Sequence, residues 1–455
     1  MKKFFQKIQK SKRLLLNISV WLIVIIGFVI VASFLIFRAS GYAYNFKTGK
    51  IQKTGLLYVQ TNPRSVDVFL EKEYKGSRTP LRVSYLLPGK YDLEIKKDGY
   101  KTISKTITIY EGLGTKIKDV LLLLESQNFD EIGPKKIIDF KIKDKNNCFV
   151  LYDNQGLNIG TLDMKDNKLK SIHQINDLNL KSRIIEPINS DHLIIKSEQK
   201  YYVLNWKTGN YYDLNQQLSI EKIDDLGINK NTIIIRSGDN LLSYNITNQQ
   251  SAKIAENIVA FYLNSYIYAI QNVYDKNQIL QINFNNYYIK TIEDKLDIAS
   301  PSKLKVSKDK QFSILNKNND LYIYDDRNLV LLDKQVQNFN WTNDRNWLEF
   351  GEKLALTYYT NNELWIYQKN NKDIFNQPEE NYILRRLSHP INESNFFFNQ
   401  YNIYFFSNNE LTLSDLSGHA TKITNIDIDT KYEFSKDYSE LLLLKNGVLR
   451  FGSIR

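Results

Sequence analysis

Apolar residues follow three successive patterns along this chain. From Leu14 to Phe37 they form a nearly unbroken run of 24 positions, with polar interruptions at Asn17, Ser19 and Ser33. From Gly55 to Glu125 they alternate with polar residues. Val66, Val68 and Leu70 share one strand face, and Tyr91-Asp92-Leu93-Glu94-Ile95-Lys96 sorts apolar and charged side chains to opposite faces. From Glu131 onward, short β-rich runs recur, each a polar turn followed by an apolar strand. The first pattern predicts a helix and the other two predict strands, so the fold class is mainly β behind one amino-terminal helix.

Twenty-four helical residues cover about 36 Å, enough to cross a hydrocarbon core with some tilt. We expect a transmembrane helix over residues 14–37, carrying Leu14, Trp21, Phe28 and Phe37 along its length. Six cations precede it (Lys2, Lys3, Lys7, Lys10, Lys12 and Arg13) with no acidic residue. The positive-inside bias then makes residues 1–13 a cytoplasmic tail and leaves the rest of the chain outside a single-pass cell-membrane protein. A removable signal peptide is the rival reading, since Ala39 and Gly41 form a small-x-small pattern, but apolar cores of signal peptides run only about 7 to 15 residues. A buried core helix fits less well still, being shorter and more often interrupted. Lipid attachment behind the run is excluded, because the one cysteine is Cys148.

After a linker over 38–54, turn chemistry divides residues 55–125 into strands of a small antiparallel domain. Asn62-Pro63, Thr79-Pro80, Pro88-Gly89 and Asp98-Gly99 each supply a fixed or positive φ where the chain reverses. These residues resemble the PEGA domain, a small β-sandwich of bacterial and archaeal envelope proteins. The likeness runs through Thr61-Asn62-Pro63, Val66 to Leu70, Gly76, Thr79-Pro80, Leu87-Pro88-Gly89-Lys90-Tyr91 and Lys97-Asp98-Gly99-Tyr100. Two positions depart from the family pattern: Ser65-Val66 replaces the usual Gly-Ala, and Glu73 stands where Gly is common. The resemblance implies an extracytoplasmic binding or spacer module, with Pro63, Gly76, Thr79, Pro80, Pro88, Gly89, Gly99 and Tyr100 in structural roles and no catalytic residue.

Beyond a second linker at 126–134, the recurrent hairpins of residues 135–455 place an apolar residue after each turn at 157, 201, 241, 279, 321, 364, 411 and 449. The spacings are 44, 40, 38, 42, 43, 47 and 38 residues. A period near 40 with about four strands per unit is that of a propeller blade, so a seven- or eight-bladed β-propeller is expected. Adjacent tyrosines (Tyr201-Tyr202, Tyr211-Tyr212, Tyr287-Tyr288, Tyr358-Tyr359) suit sheets covered on both faces. Turns at Ser307-Lys308-Asp309, Thr342-Asn343-Asp344 and Ser435-Lys436-Asp437 resemble those of TolB-type, WD40-like blades. The last unit shows three strands, so a fourth must come from elsewhere to avoid an open edge, and Lys136 to Ile142 is the expected donor.

The formal net charge of +11 divides unevenly. Residues before Arg38 contribute +6, Arg38 to Glu125 contributes +7, and the remainder is −2. The basic module suits anionic lipid or wall polymer, and nucleic acid is not an expected partner. A lone cysteine permits no internal disulfide, and Cys148 within a strand reads as a small apolar residue. His173, His192, His389 and His419 lie at least 19 residues apart. No metal-ligand spacing, Walker loop or nucleophile elbow is present, so no catalytic, cofactor-binding or metal residue is expected. These readings point to an envelope scaffold that offers a propeller to another protein or a cell-wall glycan. The alternative is a propeller hydrolase or lyase, which would need carboxylates about 5 to 10 Å apart in the channel.

Overall fold

The computed structural model describes residues 2–46, 48–325, 328–342, 355–368, 381–397, 402–416 and 418–455. It divides into two compact units, Met1–Leu122 and Leu123–Arg455.

The first unit opens with helix α1 (Lys2–Ala39). Its stretch Ser19–Ala39 is long and apolar enough to cross a membrane and is almost wholly exposed, with Trp21 and Phe28 about 70% exposed. A helix apolar on every side that no protein surface covers is a candidate membrane anchor or signal sequence rather than a core helix. Leu14 and the six flanking cations fall where the side chains are outside the described residues. Phe37 is half-buried, 5.8 Å from the Tyr42 ring. Gly41, at φ 80°, turns the chain out of the helix. The stretch expected as a linker instead forms a hairpin, β1 (Tyr42–Asn45) with β2 (Lys50–Lys53).

Seven strands follow: β3 (Gly55–Asn62), β4 (Ser65–Leu70), β5 (Glu73–Arg78), β6 (Leu81–Leu86), β7 (Gly89–Lys96), β8 (Ile103–Ile109) and β9 (Gly114–Leu121). They form two sheets, β5-β4-β7-β8 and β6-β3-β9. Leu57 and Val59 of one sheet share a core with Val68, Leu70, Leu93 and Ile95 of the other. The module is the expected sandwich, but one pairing is not antiparallel: β9 runs parallel to β3. Six reversals separate the two strands, so the last one returns in the direction of the first. Between β4 and β5 a two-residue turn places Glu71 and Lys72 at φ 54° and 65°, the region where the family pattern favours glycine.

Among the described residues the second unit contains eight four-stranded sheets. Their innermost strands are Ile137–Ile142, Arg183–Pro187, Asp225–Asn229, Ile258–Leu263, Pro301–Val306, Asn338–Trp341, Ile391–Phe396 and Lys431–Phe434. Each blade's second and third strands join at one of the eight recurrent turns, and all eight marker residues lie in third strands and are buried. Residues at positive φ in these turns (Gln155, Glu198, Asn319, Asn408, Asn409, Asn446) explain their polar, Asn-rich composition. In blade 4 the turn is Tyr274-Asp275, just ahead of the polar run that marked it.

Apolar clusters fill the spaces between successive blades, and Ile132, Phe140, Cys148, Leu442 and Leu449 join the eighth blade to the first. Tyr201, Tyr202, Tyr358 and Tyr359 are buried in strands as expected. Tyr287 and Tyr288 are not: they occupy a turn, and Tyr288 is exposed. The closing strand also differs from expectation. Ile137–Ile142 is the inner strand of blade 1, and the fourth strand of blade 8 is β10 (Asp130–Ile132), which pairs antiparallel with Val448–Ser453. β10 lies inside the segment assigned as a linker. The Ser-x-Asp turns of blades 5 and 8 occupy the same place, between strands one and two. There the Ser307 hydroxyl accepts from the Gln311 N–H and the Ser435 hydroxyl from the Glu440 N–H, both at 3.0 Å. Asn343 and Asp344 of the third such turn lie outside the described residues.

Candidate functional site

Eight inner strands leave a channel along the propeller axis, and their polar residues recur at one register. In blades 1, 2, 4, 5 and 7 a β-bulge falls near the start of the inner strand, between Ile137 and Asp139, Ile184 and Glu186, Ile258 and Ala260, Pro301 and Lys303, and Ile391 and Glu393. A bulge adds a residue and re-aims those after it. In four of the five blades the next residue is charged. Lys431 holds the corresponding place in blade 8.

These groups lock neighbouring blades together. Lys431 Nζ donates to Asp139 Oδ1 at 2.6 Å and to the Phe140 carbonyl at 2.7 Å, while Asp139 Oδ2 accepts from the Ile184 N–H at 2.6 Å. Asp139 is fully buried, and a charged partner with a backbone donor offsets the cost of that burial. Two residues on, Lys141 pairs with Glu433 at 3.0 Å. Lys303 donates to Asn338 at 2.6 Å, and Lys305 donates to Asn340 and to the Phe339 carbonyl. Asn340 reaches the Ser394 carbonyl at 3.1 Å, and Glu393 accepts from the hydroxyls of Tyr404 at 3.0 Å and Tyr432 at 2.7 Å.

Burial sets the electrostatics of this wall. It lowers Lys303 against the opposing pull of Asp225, and with the neighbouring Lys303 ammonium it pushes Lys305 down to about 7. Asp225 is raised, chiefly by burial. Tyr404 and Tyr432 are both raised by burial and by the Glu393 charge, so they remain hydroxyl donors.

At the carboxyl-terminal ends of the inner strands the channel opens into a cavity of about 780 Å³ lined by Lys143, Glu186, Glu393, Tyr432 and Lys436 among others. On the opposite face a cleft of about 850 Å³ lies beside the turns of blades 3, 4 and 5, with Asp275, Lys276, Asp297 and Lys317 at its edge. Both mix charges of either sign, which suits a polar partner with both donors and acceptors.

The remaining residues picked out in the sequence have structural partners. Thr61 and Thr79 hydroxyls meet at 2.7 Å and tie the Pro63 and Pro80 turns together. A Cβ on Gly76 would press on Leu81 at 3.0 Å. Pro88 and Gly89 lead into β7, Gly99 turns at φ 77°, and the Tyr100 ring sits 5.6 Å from the Lys97 ammonium. Cys148 is fully buried and its thiol is raised by burial, as a packing residue requires. His173 contacts the Trp206 carbonyl at 2.9 Å, His192 contacts Asn189 and His389 contacts Ser388. Among the described residues no group of three His, Cys, Asp or Glu side chains could hold a metal ion.

Sequence reasoning missed the channel wall. Its signal was an interval: Asp139, Lys303, Glu393 and Lys431 each precede the blade's marker residue (157, 321, 411 and 449) by 18 positions.

Comparison with known proteins bears on each unit separately. Curated proteins give no match. Solved structures similar to the chain include oligogalacturonate lyase in complex with manganese, at 11% identity, covering 71% of this chain and 99% of that one, with a TM-score of 0.39. The β-propeller domain of Swd1 from Myceliophteria thermophila shows 9% identity, 72% and 100% coverage and a TM-score of 0.38. PorZ, a surface component of the type-IX secretion system of Porphyromonas gingivalis, shows 11%, 69% and 42%, and 0.37. Residues 54–122 match the family described as the PEGA domain, and the unit that follows them has the eight four-stranded sheets of a propeller among its described residues.

Proposed function

We propose that this chain is an envelope scaffold, held by α1 with its amino terminus in the cytoplasm, that offers the propeller to an extracytoplasmic protein or glycan. The PEGA-like module serves as a spacer between the anchor and the propeller along the chain. What carries this reading is how the channel spends its charges. Asp139, Glu433 and Glu393 are held from neighbouring blades by a lysine, a backbone N–H and the Tyr432 hydroxyl, with Tyr404 of its own blade also donating to Glu393, which stiffens the ring. Glycoside hydrolysis asks instead for two carboxyl groups about 5 to 10 Å apart and available to substrate.

The test is capture of envelope fractions by the full chain in nanodiscs, with charge reversals at the channel mouth (Lys143→Glu with Lys436→Glu) or on the opposite face (Lys276→Glu with Lys317→Glu). One pair should abolish capture and the other leave it intact. Equal recovery by both variants would remove the binding reading. Release of new reducing ends or unsaturated sugars from wall polysaccharide, lost in Glu393→Gln, would put the hydrolase or lyase reading in its place. Protease added to intact cells should remove the region after Arg38, and protection of it would overturn the orientation.

A further inference from the structure

We infer that the β1–β2 hairpin is a membrane-interface element that lies on the lipid headgroups with one face. The inference rests on α1 being a membrane anchor, and it adds a second contact with the same bilayer.

Pairing Tyr42 with Lys53 and Tyr44 with Ile51 puts Tyr42, Tyr44, Ile51 and, at the base, Lys53 on one side of the hairpin, while Ala43, Asn45, Lys50 and Gln52 take the other. The sides differ in chemistry. On the polar side, Asn45 Nδ2 donates to Gln52 Oε1 at 2.8 Å. On the apolar side, Tyr44 stacks edge-on with Phe46 at 5.0 Å, yet the face is uncovered: Tyr42 is 39%, Tyr44 47%, Ile51 61% and Phe46 89% exposed. A lone two-stranded hairpin is marginal in water, so an aromatic face of this size needs a cover.

Position in the chain says what the cover is. Ser40 and Gly41 alone separate α1 from β1, and two residues reach at most about 7 Å, so the hairpin starts within the headgroup layer of any bilayer that α1 crosses. Tyrosine and phenylalanine are suited to that layer, with an apolar body and, for tyrosine, a polar tip. Residues 38–54 carry Arg38, Lys47, Lys50 and Lys53 with no acidic residue, a charge pattern matched to anionic headgroups. Thr54 fixes the base of the hairpin, its N–H and hydroxyl both donating to the Gly41 carbonyl at 2.7 and 2.8 Å.

The native chain suits a site-specific test, because Cys148 is fully buried and an added cysteine would be the one accessible thiol. Full-length Tyr44→Cys, Phe46→Cys, Ile51→Cys, Asn45→Cys and Ile36→Cys variants are labelled with a polarity-sensitive fluorophore. Each is placed in vesicles of phosphatidylcholine and phosphatidylglycerol with or without brominated acyl chains. Labels at 44, 46 and 51 should lose about half their emission to the brominated lipid, and the label at 45 should stay near its aqueous value, as expected for a face buried about 5 to 10 Å into the interface. Quenching at 36 with none at 44, 46 and 51 overturns the hairpin inference and leaves the anchor standing. No quenching at 36 overturns the anchor, and quenching at 44, 46 and 51 would then support the hairpin on its own account.

Discussion

The PEGA domain and the propeller both close by joining an early strand to the last one, yet they do it with opposite geometry. In the sandwich, β3 meets β9 in parallel and one shared core lies behind the seam. In the propeller, β10 meets Val448–Ser453 antiparallel over three residues, and the seam has its own apolar cluster, as the other blade junctions do. The sandwich thus commits its stability to a single core. The propeller distributes it over a ring of interfaces, reinforced on the axis by the lysine, asparagine and carboxylate locks. Closure is a separate requirement from core formation, and it can be met by very little chain when neighbouring blades already fix the edge.

If the two bodies are independent, calorimetry of the full chain should resolve two transitions that respond to different substitutions. Phe140→Ala empties the fully buried junction of blades 1 and 8 and should destabilise the propeller by about 3–5 kcal/mol, leaving the sandwich transition unmoved. A matched pair of glycines sharpens the comparison. A Cβ on Gly452 would meet the Asn128 carbonyl beside the propeller seam, and one on Gly55 would meet Ile109 and the Tyr110 carbonyl beside the sandwich seam. Gly452→Ala and Gly55→Ala should each cost about 1–3 kcal/mol, each in its own transition. A shift of both transitions by either change would break the comparison.

Smaller effects probe the chemistry peculiar to each body. Lys305 is depressed to about 7 when folded, whereas an unfolded lysine keeps its proton to about 10.4. Between those values the unfolded chain binds more protons, so propeller stability should rise with pH above about 7. The gain is on the order of 1–2 kcal/mol once solvent screening is allowed for, and Lys305→Met should reduce it. The sandwich holds Lys72 at φ 65° in a turn, and Lys72→Gly should stabilise that transition alone, by about 1 kcal/mol or less.

Features with a local physical cause were legible in the sequence. The eight hairpins showed through because left-handed turn positions select Asn and Gly, and the sandwich showed through Thr79-Pro80 and its companion turns. Features that depend on distant partners were not. β10 has only Ile132 buried among its three residues, too short for any periodicity, while Ile137–Ile142 has the stronger strand pattern and was assigned its task. Asp139, Lys303 and Glu393 break the apolar alternation of inner strands, and only the partner blades explain why. The β1–β2 hairpin was hidden because Tyr42, Tyr44 and Phe46 have no protein core to point toward. Tyr287-Tyr288 shows the opposite error, an aromatic pair that resembles strand and is turn.

The strand that seals the ring is also the one nearest in sequence to everything on the amino-terminal side. A pull transmitted along the backbone from that side meets the Leu124 N–H bond to the Ile454 carbonyl at 2.9 Å and then Asp130–Ile132, loading a ladder of three residue pairs at the rim. Mechanical tension would therefore unzip the seam of blade 8 first, leaving the axial locks of the other blades engaged.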